Sequence, residues 1–230
     1  MSAASDPVPR AYRVALGVVL APIVRRWGRL EVSGLEHLPA TGPVLLAGNH
    51  DSYWDPVAIG IAALPRRPIR ALAKSTLWKI KGLGRVLDGM AQIPVERGKG
   101  DAAAFDRAVQ ELRDGACIGV FPEGSTSKGR TLRARSGLGR LAAAVPEAQL
   151  VLVTVQGTTD VVRFPKRPHI RIRFFAPDGG QPRPDETPAE LGARVVAELR
   201  ALAPIDACGR RRKAARRMRE HQLAAEETAA

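Results

Sequence analysis

His50 and Asp55 stand five positions apart in the stretch Ala47-Gly48-Asn49-His50-Asp51-Ser52-Tyr53-Trp54-Asp55-Pro56, where an apolar run ends and Asp-Pro opens the next element. Histidine titrates near neutral pH, so an imidazole in such a turn can take a proton from an alcohol. A carboxylate on its far nitrogen fixes the tautomer and stabilises the imidazolium that forms, as in the His–Asp half of a serine-protease triad. Asp51, adjacent to His50, normally points elsewhere, whereas Asp55 has enough chain between to return to the ring. A plainer alternative stays open: Asp55 caps a helix and His50 is a loop histidine with its hydrogen bonds met. Asn49 and Ser52, inside the same stretch, are substrate-binding candidates.

Two further places combine a strand end with groups suited to an anion. Arg97 follows the run at 92–95, and its planar fork matches a phosphate; the competing reading is a solvated loop arginine beside Glu96. Glu123 follows Pro122 at the end of an apolar run. A carboxylate there can order basic groups or accept ligand hydroxyls, or simply sit in an exposed turn. Gly124, Ser125 and the loop beyond offer backbone N–H donors for an anion.

Three look-alikes fail their context. Residues 124–131 approach a P-loop, but Arg130 stands where the phosphate-binding lysine belongs. Gly137-Leu138-Gly139-Arg140-Leu141-Ala142 matches G-x-G-x-x-A without a buried strand before it. No G-x-S-x-G elbow is present. His37, His169 and His221 are scattered, so no metal site is expected.

These groups need a frame, and the chain alternates accordingly. Helices are predicted near residues 8–27, 55–63, 101–113, 138–144 and 187–203, the last with Thr187 and Glu190 in capping-box spacing. Strands are predicted at 30–32, 44–47, 69–73, 92–95, 117–121, 150–155 and around 170–174, where Ile170, Ile172 and Phe174 alternate with arginines. The pattern predicts a single α/β domain at 29–205, with a largely parallel sheet flanked by helices. It is preceded by a helix at 1–28 and followed by a basic tail at 206–230.

Basic residues outnumber acidic ones 36 to 23, a net charge of +13, and the hydrophobic fraction of 45% excludes wholesale disorder. Two cysteines exclude a disulfide scaffold and point to a reducing compartment. The apolar run at 14–24 is far short of the roughly 20 residues that span a bilayer. Arginines at both ends, with Tyr12 and Trp27 at the flanks, instead describe a helix lying in a membrane interface, or one packed on the domain. A nucleic-acid partner also suits the charge, especially the cluster at 210–219. Aromatics at 4% leave few stacking platforms for it, and no nucleic-acid motif is present, so none is expected.

The stretch around His50 resembles the N-H-x-x-x-x-D block of the glycerolipid acyltransferases, the 1-acylglycerol-3-phosphate acyltransferase family. Residues 32–39 are similar to the family's G-x-E-x-L-P lead-in. Residues 92–97 look like its second block, 120–125 like its F-P-E-G block, and 150–157 stand where its fourth, an apolar strand ending in a glycine turn, belongs. The third block departs from F-P-E-G-T-R-S in lacking the arginine, and the fourth lacks prolines.

The resemblance implies a glycerol-3-phosphate acyltransferase-like α/β fold, a mixed, mostly parallel sheet flanked by helices, with a groove for an acyl chain. It implies transfer from acyl-CoA or acyl carrier protein to the hydroxyl of lysophosphatidic acid, or alternatively to a lysophospholipid, ornithine lipid or glycolipid. His50 and Asp55 would be catalytic. Arg97 would hold the acceptor's phosphate, with Glu123 and Lys74 nearby. No metal or redox cofactor is implied. The expected setting is the cytoplasmic face of the cell membrane, held peripherally on anionic lipid.

Overall fold

The computed structural model describes residues 9–96, 101–161, 165 and 167–206. Arg97 and the basic cluster at 210–219 lie outside the described residues. Among the described residues seven strands form one sheet: β1 (Glu31–Ser33), β2 (Val44–Gly48), β3 (Arg70–Lys74), β4 (Ile93–Val95), β5 (Cys117–Val120), β6 (Gln149–Gln156) and β7 (Arg171–Phe175). Their order is β1-β7-β6-β2-β5-β3-β4, and every neighbouring pair is parallel except β6–β7.

The central strands are apolar on both faces because both faces are covered. Val44 and Leu46 of β2 point into one core, with Val151 and Val153 of β6. That core is roofed by α2 (Asp55–Ala63) and by the N-terminal helical segment. Leu45 and Ala47 point into the other core, with Ile118, Leu150 and Leu152. Helices α4 (Ala102–Arg113), α5 (Gly137–Ala144) and α6 (Pro188–Leu202) close that side. Each fully buried Val, Leu or Ile contributes about 1.5–3 kcal/mol. A further short helix, α3 (Leu83–Gly89), follows a 3₁₀ turn at Ser75–Lys79.

The N-terminal segment begins as α1 (Arg10–Tyr12) and continues in wider π-helical turns at Arg13–Leu20 and Ile23–Trp27. Tyr12, Leu16, Ala21 and Val24 are buried, while Val14, Val18 and Val19 are exposed. Of the two placements open to this helix, its flanking aromatics take the packed one and turn inward. The Tyr12 hydroxyl accepts the Ile69 N–H at 3.1 Å, and Trp27 donates to the Val161 carbonyl at 3.2 Å.

Helix α6 has the capping box its sequence predicts: Thr187 Oγ1 accepts the Glu190 N–H, and Glu190 accepts the Thr187 N–H. Leu191, Val195 and Leu199, spaced by four, form its buried stripe. Its start lies hard against α5, where a Cβ on Gly139 would fall 2.3 Å from both Cα and the carbonyl oxygen of Pro188. Gly139, one of the two glycines that imitate a dinucleotide motif, thus has a packing purpose. Gly139→Val should destabilise the fold by about 1–3 kcal/mol through overpacking. A lower urea midpoint with unchanged m would show it.

Candidate active site

The parallel strands deliver their C-terminal ends to one edge of the sheet, the edge where open α/β sheets bind ligands. β2 ends at Gly48, and Asn49 extends its ladder with a side chain. The Asn49 amide donates to the Val155 carbonyl at 2.9 Å and accepts the Val155 N–H at 2.8 Å. The chain then turns, and Asp55 enters α2 as its first residue, with Trp54 at the cap position. Asp55 is therefore no N-cap of its helix. Its Oδ2 faces back into the turn and accepts the N–H groups of Asp51 at 2.6 Å and Ser52 at 2.7 Å. The same oxygen lies 3.0 Å from His50 Nδ1. Oδ1 accepts the Thr158 hydroxyl.

Asp55 is fully buried, and a buried carboxylate is tolerated only when its lone pairs are met by donors. Here four donors converge on it. Because a carboxylate only accepts, Nδ1 of His50 carries the proton and Nε2 is the basic nitrogen. Nε2 takes no hydrogen-bond partner among the described residues. The imidazole stacks on Phe121, with ring centroids 4.2 Å apart and planes at 17°. Phe121 and Gly48 also line an apolar cavity of about 280 Å³ between the sheet and α2. Tyr12 and Ile69 line the same cavity. Arg70 pairs with Ile118, so Ile69 is level with Cys117, four residues and about 13 Å along the strand from Phe121.

Glu123, in the turn after β5, orders a basic group as the sequence allowed, and that group is Arg200 of α6. Arg200 Nε and Nη2 reach the two Glu123 oxygens at 2.9 and 2.5 Å, and Nη1 reaches Asp51 Oδ2 at 2.9 Å. Burial disfavours the Arg200 charge, but the hydrogen bonds to Glu123 and Asp51 and their negative charges outweigh it, so its pKa is raised. Asp51 Oδ1 accepts the Ser127 hydroxyl.

Four candidates remain among the described residues. Ser52 is occupied by the turn, its hydroxyl donating to the Thr158 carbonyl at 3.3 Å and accepting the Trp54 N–H at 3.2 Å. The Gly124 N–H, expected to serve an anion, donates to the Phe121 carbonyl at 2.8 Å and is committed to the tight turn. Ser125 follows it, half-buried. Lys74 is exposed at the C-terminal end of β3 and pairs with Val95 of β4, two residues before Arg97.

Two polar residues of the site are missed by the sequence reading. Thr158 follows Gly157, where a φ of +83° and the 2.1 Å at which a Cβ would meet the His169 carbonyl oxygen admit only glycine. A hydroxyl just past a glycine turn at a strand end is the signal available for it. Arg200 lies 149 residues from Asp51 and is betrayed only by its place beside buried Leu199.

Thr158→Val should leave Asp55 one donor short and destabilise the fold by about 1–3 kcal/mol. Thr158→Ser should restore most of the loss. Chemical denaturation of the three proteins checks both expectations.

A family model described as Acyltransferase matches residues 29–158. The 1-acyl-sn-glycerol-3-phosphate acyltransferase of Bacillus subtilis is 29% identical over 98 residues, which are 43% of this chain and 49% of that protein. The lyso-ornithine lipid O-acyltransferase of Pseudomonas aeruginosa is 30% identical over 114 residues, 49% of this chain and 42% of that protein. The chain thus spans about half the length of such relatives. The crystal structure of the 1-acyl-sn-glycerophosphate acyltransferase of Thermotoga maritima superposes with a TM-score of 0.58 at 20% identity. The match covers 84% of this chain and 82% of that one, a likeness of fold. With its His50–Asp55 pair inside the matched region, and that region more than half its length, the chain belongs to the Acyltransferase family.

Proposed function

We propose that the protein moves a fatty acyl group from the thioester of acyl coenzyme A or acyl carrier protein to the free hydroxyl of lysophosphatidic acid, giving phosphatidic acid. The observation that carries this reading is a His50 imidazole oriented by a fully buried Asp55 and set beside an apolar cavity. Nε2 takes the hydroxyl proton, and the oxygen attacks the thioester carbonyl carbon. The tetrahedral intermediate collapses with cleavage of the C–S bond, and the imidazolium returns the proton to the departing thiolate. Asp55 holds the ring and balances its charge throughout. The acyl chain occupies the cavity, and Arg97 with Lys74 holds the acceptor's phosphate.

A second acceptor class has its own support. Thr126 stands where the third block carries arginine, and lyso-ornithine lipid acyltransferases are among the relatives. A panel of phosphorylated and unphosphorylated lysolipids with acyl coenzyme A, read by mass spectrometry, separates the two. His50→Ala should lower kcat by roughly 10²–10⁴-fold, the usual contribution of a general base. Arg97→Ala should raise KM for phosphorylated acceptors only. Acyl transfer unchanged by His50→Ala overturns the mechanism.

We also propose a peripheral seat on the cytoplasmic face of the cell membrane. Among the described residues no helix is long and apolar enough to cross a membrane. The outer face of the N-terminal segment exposes Val14, Val18 and Val19, with Arg10 and Arg13 at one end and Arg25 and Arg26 at the other. An apolar stripe with basic ends suits an anionic lipid surface. Replacing Val18 and Val19 together by Asp should abolish most co-sedimentation with anionic vesicles while leaving the melting temperature in place, since both side chains are exposed.

A further inference from the structure

The third block lacks its arginine, yet a guanidinium reaches the same loop from another element. Arg200 lies on α6, outside the residues 29–158 that match the family model. Its side chain is 14% exposed, against 3% for Glu123 and 5% for Asp51. Besides the two carboxylates it meets the Ala203 carbonyl at 3.4 Å. Two buried like charges in reach of one another are unfavourable unless a cation lies between them. Arg200 supplies that cation, and its planar fork fixes how the carboxylates lie.

The contacts continue to the catalytic histidine. Asp51, held by Arg200, accepts the Ser127 hydroxyl, and the Ser127 N–H donates to the His50 carbonyl at 2.7 Å. The loop after β2 and the loop after β5 are thus tied through Asp51, and α6 is tied to both. We infer that Arg200 is a positioning residue for His50: the helix beyond the matched region clamps the two loops that hold the imidazole in place. This rests on the acyl-transfer reading above for its kinetic consequence, and on the geometry alone for its structural one.

Glu123 accordingly acts as the anchor of the clamp, and the chain through α6 is needed for a competent site. The clamp differs from a phosphate ligand in what its loss does. A misplaced base slows the chemical step, whereas a lost ligand weakens acceptor binding.

The test compares the full chain with Arg200→Met, Arg200→Lys, Glu123→Gln and the Arg200→Met/Glu123→Gln pair. Arg200→Met should lower kcat on the order of 10- to 100-fold, with KM for donor and acceptor nearly unchanged. Arg200→Lys, which keeps the charge without the fork, should recover part of the loss. The double variant should be no slower than Arg200→Met alone, because the two residues act as one unit.

Wild-type kcat in either Arg200 variant overturns the inference, as does an unchanged kcat with a raised acceptor KM, which would make Arg200 a ligand. Should Arg200→Met not fold, Arg200→Lys decides by the same kinetic criteria. Hydrogen exchange gives a readout that needs no substrate. The Asp51 and Ser52 amides, bound to Asp55, should lose protection in an Arg200 variant that keeps its global melting transition. Undiminished protection overturns the clamp, whereas a wild-type chain inactive on every acceptor overturns the acyl-transfer reading alone.

Discussion

A single buried carboxylate organises this molecule. Asp55 has no exposure, and the desolvation of its charge is offset only by donors that must be in place together. Two are backbone N–H groups of its own turn, so the loop between β2 and α2 closes around it. One is His50, whose ring is thereby turned and its tautomer chosen. The fourth is Thr158, which comes from the far end of β6 and holds that strand's exit to the entry of α2. Asn49 reinforces the same junction by pairing with both polar groups of Val155. A charge that the fold must satisfy thus becomes the device that aligns a base.

The net charge of +13 takes a different meaning once its members are placed. Arg67 is 2% exposed, and its guanidinium donates to the carbonyls of Pro39, Gly42 and Gly115 at the opposite edge of the sheet. Arg194 is held by both oxygens of Glu186, whose pKa its hydrogen bonds lower. Arg200 is held by Glu123 and Asp51. These cations hold the fold together and seek no partner. The exposed ones at the ends of the N-terminal segment are of another kind, since no partner among the described residues explains their number there.

What was legible in the sequence is whatever local pattern dictates. Apolar runs bounded by turn residues placed all seven strands within a few residues, and the five predicted helices were found where periodicity and caps put them. The sheet's largely parallel character followed from the alternation, and its mixed character from the family resemblance. Within the site, His50 and Asp55 are neighbours in sequence, so their meeting across one turn was readable. The roles of Thr158 and Arg200 were not, because a side chain's partner more than a hundred residues away depends on packing that no local pattern encodes. Arg200 reads as one more solvated arginine until α6 is docked by Leu191, Val195 and Leu199. The Gly124 donor was misjudged for a related reason: the N–H that looked available closes the turn that creates it. For Tyr12 the choice between an interfacial and a packed place stayed open because its partner, the Ile69 amide, is 57 residues distant.

Tyr12 also links the two ends of the functional reading. The N-terminal segment has an outer face of exposed valines and an inner face on which Tyr12 and Leu16 line the cavity that runs beside the sheet from Phe121. It can sit so low because Gly60 of α2 has no side chain. A Cβ there would meet Leu16 at 2.7 Å and the Tyr12 hydroxyl at 3.1 Å. Burial pushes the Tyr12 phenol up, so it remains neutral and adds no charge to an apolar wall. One helix about 10 Å across therefore separates the surface proposed to meet lipid from the space proposed to hold the acyl chain. Lifting it from its seat would open the cavity at the end remote from His50.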